Sequence, residues 1–355
     1  MRLPAYVAIE LGVAAAFLAG GGVGARYGVR QVRSILAARA HLAPTPAALP
    51  ERQDLPEVGD LRVSLESSGT FMGMSDELLL ERVRTQPMVR FKFNHGGSSI
   101  SFRVDFADGS RAAWKPTQTN TQTIPRKEIA AYRLNRLLGL NAVPPAAPRA
   151  VSRDDLLAHL HPESLEFLPR IKAETIFNPA GITYGTASYW IPVIKDSGFD
   201  TPDGQRLATA WLTVGGEPIP PDKMPMARQV SDLVLFDFLT ANPDRYSGGN
   251  MKMSSDGSEL FYMDNTMSFF VEPAGPEKNR EVLLRTQRFS KSLYEALDRV
   301  TVPTLQRALA QEPGATYDIL TPAEIAAVVG RRQVIQQHVQ GLITRLGARE
   351  VLFFP

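Results

Sequence analysis

"DFLTANPDRYSGGN" (237–250) is followed closely by "FYMDN" (261–265). In the first stretch an apolar run gives way to a Gly-rich turn holding Asp244. In the second, a short apolar strand ends at Asp264, twenty residues further on. Asp and Asn form turns by bonding their own backbone, so each acid taken alone reads as a turn former. Two acids at the ends of core elements also read as ligands for a charged group, and the rest of the chain decides between the two readings.

Upstream, "SDELLLERVRTQ" (75–86) predicts a short helix with Ser75 as its N-cap. "MVRFKFNHGGSSISFRVDFADGSRAAWKP" (88–116) alternates apolar and polar residues through Phe91, Phe93, Ile100, Phe102, Val104 and Phe106. His95-Gly96-Gly97 and Ala107-Asp108-Gly109 interrupt it, so it predicts an antiparallel three-strand meander. "PRKEIAAYRLNRLLGL" (125–140) opens with Pro at the first helical position and closes at Gly139. Ala130, Leu134, Leu137 and Leu138 lie on one face of that helix. Further strands are expected at 172–177 and 184–193, and a largely buried helix at 225–241. The last 60 residues read as helical, with a capping box at Thr321–Glu324 and an apolar face of Ile335, Val339, Leu342 and Leu346. The fold class is therefore α+β, in two lobes. Its β-rich N-lobe with one helix covers 65–180, and its mostly α C-lobe covers 181–355.

The 355 residues are 44% apolar and 21% charged, enough to build a large core. Thirty-nine basic against 37 acidic residues leave a net charge of +2, without the clustered basic excess that nucleic-acid binding requires. No cysteine is present, which excludes disulfides, Cys-based metal sites and thiol nucleophiles. His159 and His161 are the only close pair among five histidines, a poor spacing for zinc.

The N-terminus differs from the rest. Residues 3–25 are apolar apart from Glu10 and long enough to cross a bilayer, and Arg26, Arg30, Arg33 and Arg39 follow. Export signals carry their charge in front, so 1–40 reads as a single-pass membrane anchor with a basic flank rather than a cleaved leader. By the positive-inside rule the following domain faces the cytoplasm. Four prolines in 43–60 make 41–64 an extended linker, and the folded domain spans 65–355.

Lys115 ends the third strand, Glu128 lies in the first turn of the next helix, Asp244 begins a loop that Asn250 ends, and Asp264 follows a strand. In that order they are the parts of phosphoryl transfer: a lysine for ATP phosphates, its helix glutamate, a catalytic aspartate, and an asparagine and aspartate for metal. Each also has a plain structural reading. Lys115 suits a solvated strand end, Glu128 favours a helix N-terminus, Gly96-Gly97 suits a hairpin, and Asp244 and Asp264 suit turns. Independent turn formers have no reason to fall in this order.

At these residues the chain resembles the secretory-pathway kinases, which include Golgi casein kinase, the xylose kinase and the four-jointed box kinases. "GGSSISFRVDFADGSRAAWKP" (96–116) is similar to their phosphate-loop-to-lysine segment, and "EIAAYRLNRLLGLNAVPPA" (128–146) to their glutamate helix. "GTASYWIPVI" (185–194) resembles their hinge strand, and "RRQVIQQHVQGLITRLG" (331–347) their closing helix. "DLVLFDFLTANPDRYSGGN" with "FYMDN" resembles their catalytic and metal loops, so the resemblance covers 88–347. It implies an atypical, bilobal protein-kinase-like fold and an ATP- and Mg²⁺- or Mn²⁺-dependent kinase acting on a protein Ser/Thr or glycan hydroxyl. Lys115 would contact ATP phosphates, and Glu128 would pair with the lysine or help bind metal. Asp244 would be the catalytic aspartate, and Asp264 with Asn250 the metal ligands. Gly96, Gly97, Ser98 and Ser99 would cover the phosphates through backbone N–H groups. It also implies a lumenal site of action, against the arginine bias.

The sequence departs from that family in lacking cysteines and in carrying Thr266 where the family often has glycine. Its Asn250 stands six residues after Asp244 rather than five, and its Lys115–Glu128 gap is short. A membrane-tethered pseudokinase that binds nucleotide without transfer, or a lipid kinase, are the alternative expectations.

Overall fold

The computed structural model describes residues 70–355 apart from 248, 273–274, 311 and 316. The expected membrane segment and Pro-rich linker lie outside the described residues. Among the described residues no helix is long and apolar enough to cross a membrane.

A two-strand hairpin, β1 (Thr70–Phe71) and β2 (Met74–Ser75), leads into α1 (Asp76–Thr85). The Ser75 hydroxyl caps α1, accepting from the Leu78 N–H at 3.2 Å. The predicted meander follows as β3 (Met88–Phe93), β4 (Phe102–Phe106) and β5 (Arg111–Pro116). Its register, Phe91 opposite Val104 and Phe102 opposite Trp114, lays the alternating apolar residues on one buried face. The Phe91 and Trp114 rings meet edge-on at 5.6 Å there. Helix α2 (Arg126–Leu137) packs under this sheet, with Pro125 just outside it and Gly139 closing it at φ +74°.

Next come β6 (Ala146–Ser152), α3 (Arg153–Ala158), α4 (Leu168–Glu174) and β7 (Ile182–Tyr189). The strand expected at 172–177 is instead the end of α4, and only Thr175 makes an isolated bridge, to Gln118. Ile171 is the one residue α4 buries, and an Arg170–Glu174 pair at 2.9 Å holds consecutive turns together, so the segment follows helical rather than strand periodicity. Strand β7 inserts between β5 and β6, giving the antiparallel order β3-β4-β5-β7-β6. The sheet lobe therefore runs past the expected break at 180, to Tyr189. At the Pro116–Gly185 pair, a Cβ on Gly185 would stand 2.4 Å from the Lys115 carbonyl oxygen, so only glycine lets β7 pair where β5 presents Lys115.

The helical lobe carries a small sheet, β8 (Ile194–Asp196), β9 (Met251–Ser254) and β10 (Leu260–Tyr262), in the order β10-β9-β8. Its helices are α5 (Pro202–Trp211), α6 (Met224–Thr240), α7 (Glu277–Arg285), α8 (Lys291–Ala296), α9 (Val302–Ala310), α10 (Pro322–Leu346) and α11 (Ala348–Val351). Helix α6 is apolar nearly all round, as a helix enclosed by its own lobe should be. The predicted capping box at Thr321 and Glu324 forms. Ile335, Val339 and Leu342 are buried, whereas Leu346, one turn on, is exposed at the C-terminal end of the face.

Buried within α6, Asp232 keeps Oδ1 without a hydrogen bond, and Arg228 reaches Oδ2 only at 3.9 Å. Burial pushes its carboxyl up to about 7, opposed by Arg228 and the Ser290 hydroxyl. Unfolded, an Asp titrates near ~4, so between these pH values the folded chain binds the extra proton and stability falls as pH rises. Asp232→Asn should flatten that slope and raise stability above pH ~7 by up to about 4 kcal/mol, read as denaturation midpoints across pH.

Candidate active site

The register of β5 decides where Lys115 points. Trp114 faces the core, so its neighbour Lys115 faces away, beside Thr186 on β7. The Thr186 hydroxyl donates to the Pro125 carbonyl at 2.8 Å and so holds the start of α2 against that strand. In the first turn of α2, Glu128 is buried and its Oε1 accepts from Lys115 Nζ at 2.9 Å. Lys115 Nζ also lies 2.6 Å from Asp264 Oδ1. Two residues 13 and 149 positions away from Lys115 thus meet at its one ammonium.

The electrostatics follow from that pairing. Burial alone would lower the Lys115 pKa, but Asp264 and Glu128 outweigh it and the group is held well above its ordinary value. Burial would raise the Asp264 carboxyl, yet Lys115 and the Thr266 hydroxyl hold it below the usual range. Both groups are therefore charged at neutral pH.

Asp264 sits at φ +50°, a left-handed conformation that Asp tolerates better than most residues. Its carbonyl accepts from Asn242 Nδ2 at 3.2 Å, and its Oδ1 from the Thr266 hydroxyl at 2.7 Å. Thr266, where the resembled family often has glycine, thus braces the acid. Asn265 turns back towards α2: its backbone N–H and Nδ2 both donate to Glu128 Oε2, at 3.1 and 3.3 Å.

Asp244 and Asn250 form the second half of the site. The Asp244 N–H donates to Asn242 Oδ1 at 3.0 Å, the turn that its sequence context predicts. Asn250 Nδ2 then donates to both Asp244 Oδ2, at 2.9 Å, and the Asp244 carbonyl, at 3.0 Å. The Ser247 hydroxyl donates to Asp244 Oδ1. The six-residue spacing therefore closes a loop in which the Asn250 side chain meets the aspartate. The Met263 N–H donates to the Asn250 carbonyl at 2.9 Å and brings this loop alongside the Asp264 segment.

Gly96, Gly97, Ser98 and Ser99 form the turn between β3 and β4. Among the described residues their N–H groups make no hydrogen bond and they touch none of the acids, and a Cβ on either glycine would meet open space. The Ser98 carbonyl is held by Arg170 Nη2 at 2.6 Å and by Asn120 Nδ2 at 3.4 Å.

Sequence reasoning missed Arg245. It is fully buried, and its Nε donates to both oxygens of Asp237 at 3.0 and 3.1 Å. Nη1 donates to the Asn250 carbonyl at 3.0 Å and to the Met263 carbonyl, and Nη2 to Asn265 Oδ1 at 2.6 Å. Its signal was Asp237, one of two acids buried in a largely apolar helix, which needs a buried cation.

Solved structures share this architecture. The Golgi casein kinase superposes with a TM-score of 0.57 at 16% identity, over 78% of each chain. A second structure of the Golgi casein kinase, with Mn/ADP bound, gives 0.58 at 16% identity, again over 78% of each. Hydra Fam20 with sugar gives 0.60 at 19% identity, over 82% of this chain and 97% of that one. No protein-family profile and no curated protein matches. The fold is the bilobal kinase-like one, and its structural neighbours are the Fam20-like secretory kinases that the catalytic block resembles.

Proposed function

We propose that the chain is a kinase that transfers the γ-phosphoryl group of ATP to a hydroxyl, on a protein Ser/Thr or a sugar, with Mg²⁺ or Mn²⁺. The observation that carries this reading is the single ammonium of Lys115 held by Glu128 and Asp264, beside the closed Asp244–Asn250 loop. Among the described residues no three acidic or histidine side chains gather into a metal cage. A cation shared with phosphates needs only one or two carboxylates. Asp264 Oδ2 and Asn250 Oδ1, which accept no protein hydrogen bond among the described residues, fit that donor set with Glu128 close by. Such a cation, when bound, neutralises charge on the transferring phosphoryl group.

In this reading Lys115 donates to ATP phosphates, and Glu128 and Asn265 fix where it stands. The free N–H groups of Gly96–Ser99 cover the phosphates. Asp244 orients the acceptor hydroxyl and takes its proton. The Mn/ADP bound to a structural neighbour supports the cofactor choice. Casein in one neighbour's name and sugar in another's support both acceptor classes. An anchor at 3–25 stays part of the proposal.

The test is metal-dependent transfer from γ-labelled ATP to mixed peptide and glycan acceptors by the purified chain. Asp244→Asn should lose about 10²–10⁴-fold in rate without losing nucleotide binding. Nucleotide-induced stabilisation without any transfer would favour the pseudokinase, and neither effect would sink the kinase reading.

A further inference from the structure

Beyond the five groups assigned to chemistry, one buried cation touches both halves of the site. Arg245 follows Asp244 directly and is fully buried. Its Nε is fastened to Asp237 on α6, the most enclosed helix of the lobe. Its Nη1 holds the carbonyls of Asn250 and Met263, the residues that end one loop and begin the other. Its Nη2 holds Asn265 Oδ1 at 2.6 Å, which orients that amide so that its Nδ2 points at Glu128 Oε2. A continuous polar chain thus runs Asp237–Arg245–Asn265–Glu128–Lys115–Asp264. It starts on α6 in the helical lobe, crosses to α2 and β5 in the sheet lobe, and returns at Asp264 to the turn after β10.

Geometry explains why only arginine serves here. The guanidinium supplies five donors in a fixed plane, and this one uses its fork on a carboxylate, two carbonyls and an amide oxygen in three directions. Lysine would keep a single charge but could not span these acceptors. The left-handed Asp264 lies between Met263 and Asn265, both bonded by Arg245, so the guanidinium clamps that turn from either side. Asp237 pairs with Arg245, and its own carbonyl accepts from Asn279 Nδ2 at 3.2 Å, which ties the anchor to α7.

We propose that Arg245 is a positioning residue for phosphoryl transfer: it locks the Asp244–Asn250 loop to the Asp264 loop and, through Asn265, sets the Lys115–Glu128 pair across the two lobes. The proposal rests on the kinase reading for its kinetic consequence and on the hydrogen-bond chain for its structural one. Two variants of the full chain test it. Arg245→Lys breaks the fork. Asn265→Ser removes the Nη2 acceptor while the buried Arg245–Asp237 pair survives, so it should fold even where Arg245→Lys does not.

Both variants should lower kcat per folded molecule about hundredfold, as a displacement of about 1 Å does, with a much smaller change in KM for ATP. The second readout needs no activity. Amide hydrogen exchange should quicken by about tenfold or more both in 262–268 and, on the far side of the chain, in 126–132 at the start of α2. Exchange that quickens only around 237–250, or kcat within about threefold of the parent, would overturn the role. If the parent chain transfers no phosphoryl group, the kinase reading fails by itself, and the exchange comparison alone then decides whether Arg245 couples the lobes.

Discussion

Asp264→Ala should reduce metal-dependent phosphoryl transfer by about 10³-fold or more while leaving the chain folded. The carboxylate has two consequences that alanine loses together. Oδ1 is one of two anions at the Lys115 ammonium, at 2.6 Å, and Oδ2 accepts no hydrogen bond among the described residues. Lys115 keeps Glu128 at 2.9 Å in the variant, so the buried ammonium is not left unpaired and the sheet lobe survives. Asp264→Asn separates charge from shape. Asn is equally at home in the left-handed conformation and can still accept from Thr266, so only the charge is lost. If charge is what matters, the Asn and Ala variants fall together; an Asn variant with near-parental rate would remove Asp264 from the metal set. The nucleotide-induced rise in melting temperature, followed with and without Mn²⁺, gives a second reading. Its metal-dependent part should vanish in both variants.

Arg126→Met should cost about 3–5 kcal/mol of stability, the largest single effect on folding expected in the chain. Arg126 opens α2 and is buried, with Nη1 and Nη2 on the two oxygens of Glu324 at 2.8 and 2.9 Å and Nη1 also on the Ile319 carbonyl at 2.7 Å. Glu324 is at the same time the capping-box residue of α10, bonded to the Thr321 N–H at 2.8 Å. This one pair therefore fastens the helix that carries Glu128 to the closing helix of the other lobe. Burial would raise the Glu324 carboxyl, but Arg126 outweighs it and holds it below its ordinary value. A depressed carboxylate contributes stability above its unfolded pKa near ~4, and that contribution is lost as pH falls through the folded value. The deficit of Arg126→Met should accordingly be full at neutral pH and shrink below pH ~4, as the parent loses the same interaction. Arg126→Met/Glu324→Gln, which keeps a capping side chain but removes the carboxylate left with only Lys127, at 3.8 Å, should recover part of the loss. If the double variant is no more stable than the single, the cost is packing rather than a stranded charge.

The alternation through Phe91, Phe102, Val104 and Phe106 was enough to read β3, β4 and β5, because a half-buried strand writes its period into its own residues. The same holds for α2, for α6 and for the Thr321–Glu324 box, whose signals lie within a turn of where they act. The order of Lys115, Glu128, Asp244, Asn250 and Asp264 was legible too, and the structure brings the first, second and fifth to one point and the other two to another. What periodicity records, however, is that a face is buried and not what buries it. The insertion of β7 between β5 and β6, which moves the lobe boundary past 180, depends on Gly185 meeting the Lys115 carbonyl, a contact across 70 residues. The helical state of 168–174 depends on a single buried Ile171 and one ion pair, too little pattern to outweigh the β-branched Thr175 and Ile176 that follow. Arg245 was invisible for the same reason. A charged residue after a turn aspartate reads as solvated, and only folding places Asp237, Asn250, Met263 and Asn265 around it. Local pattern determined the elements and the inventory of charges. Their pairing was decided by tertiary structure, because a buried charge is stable only where several distant backbone and side-chain groups converge on it.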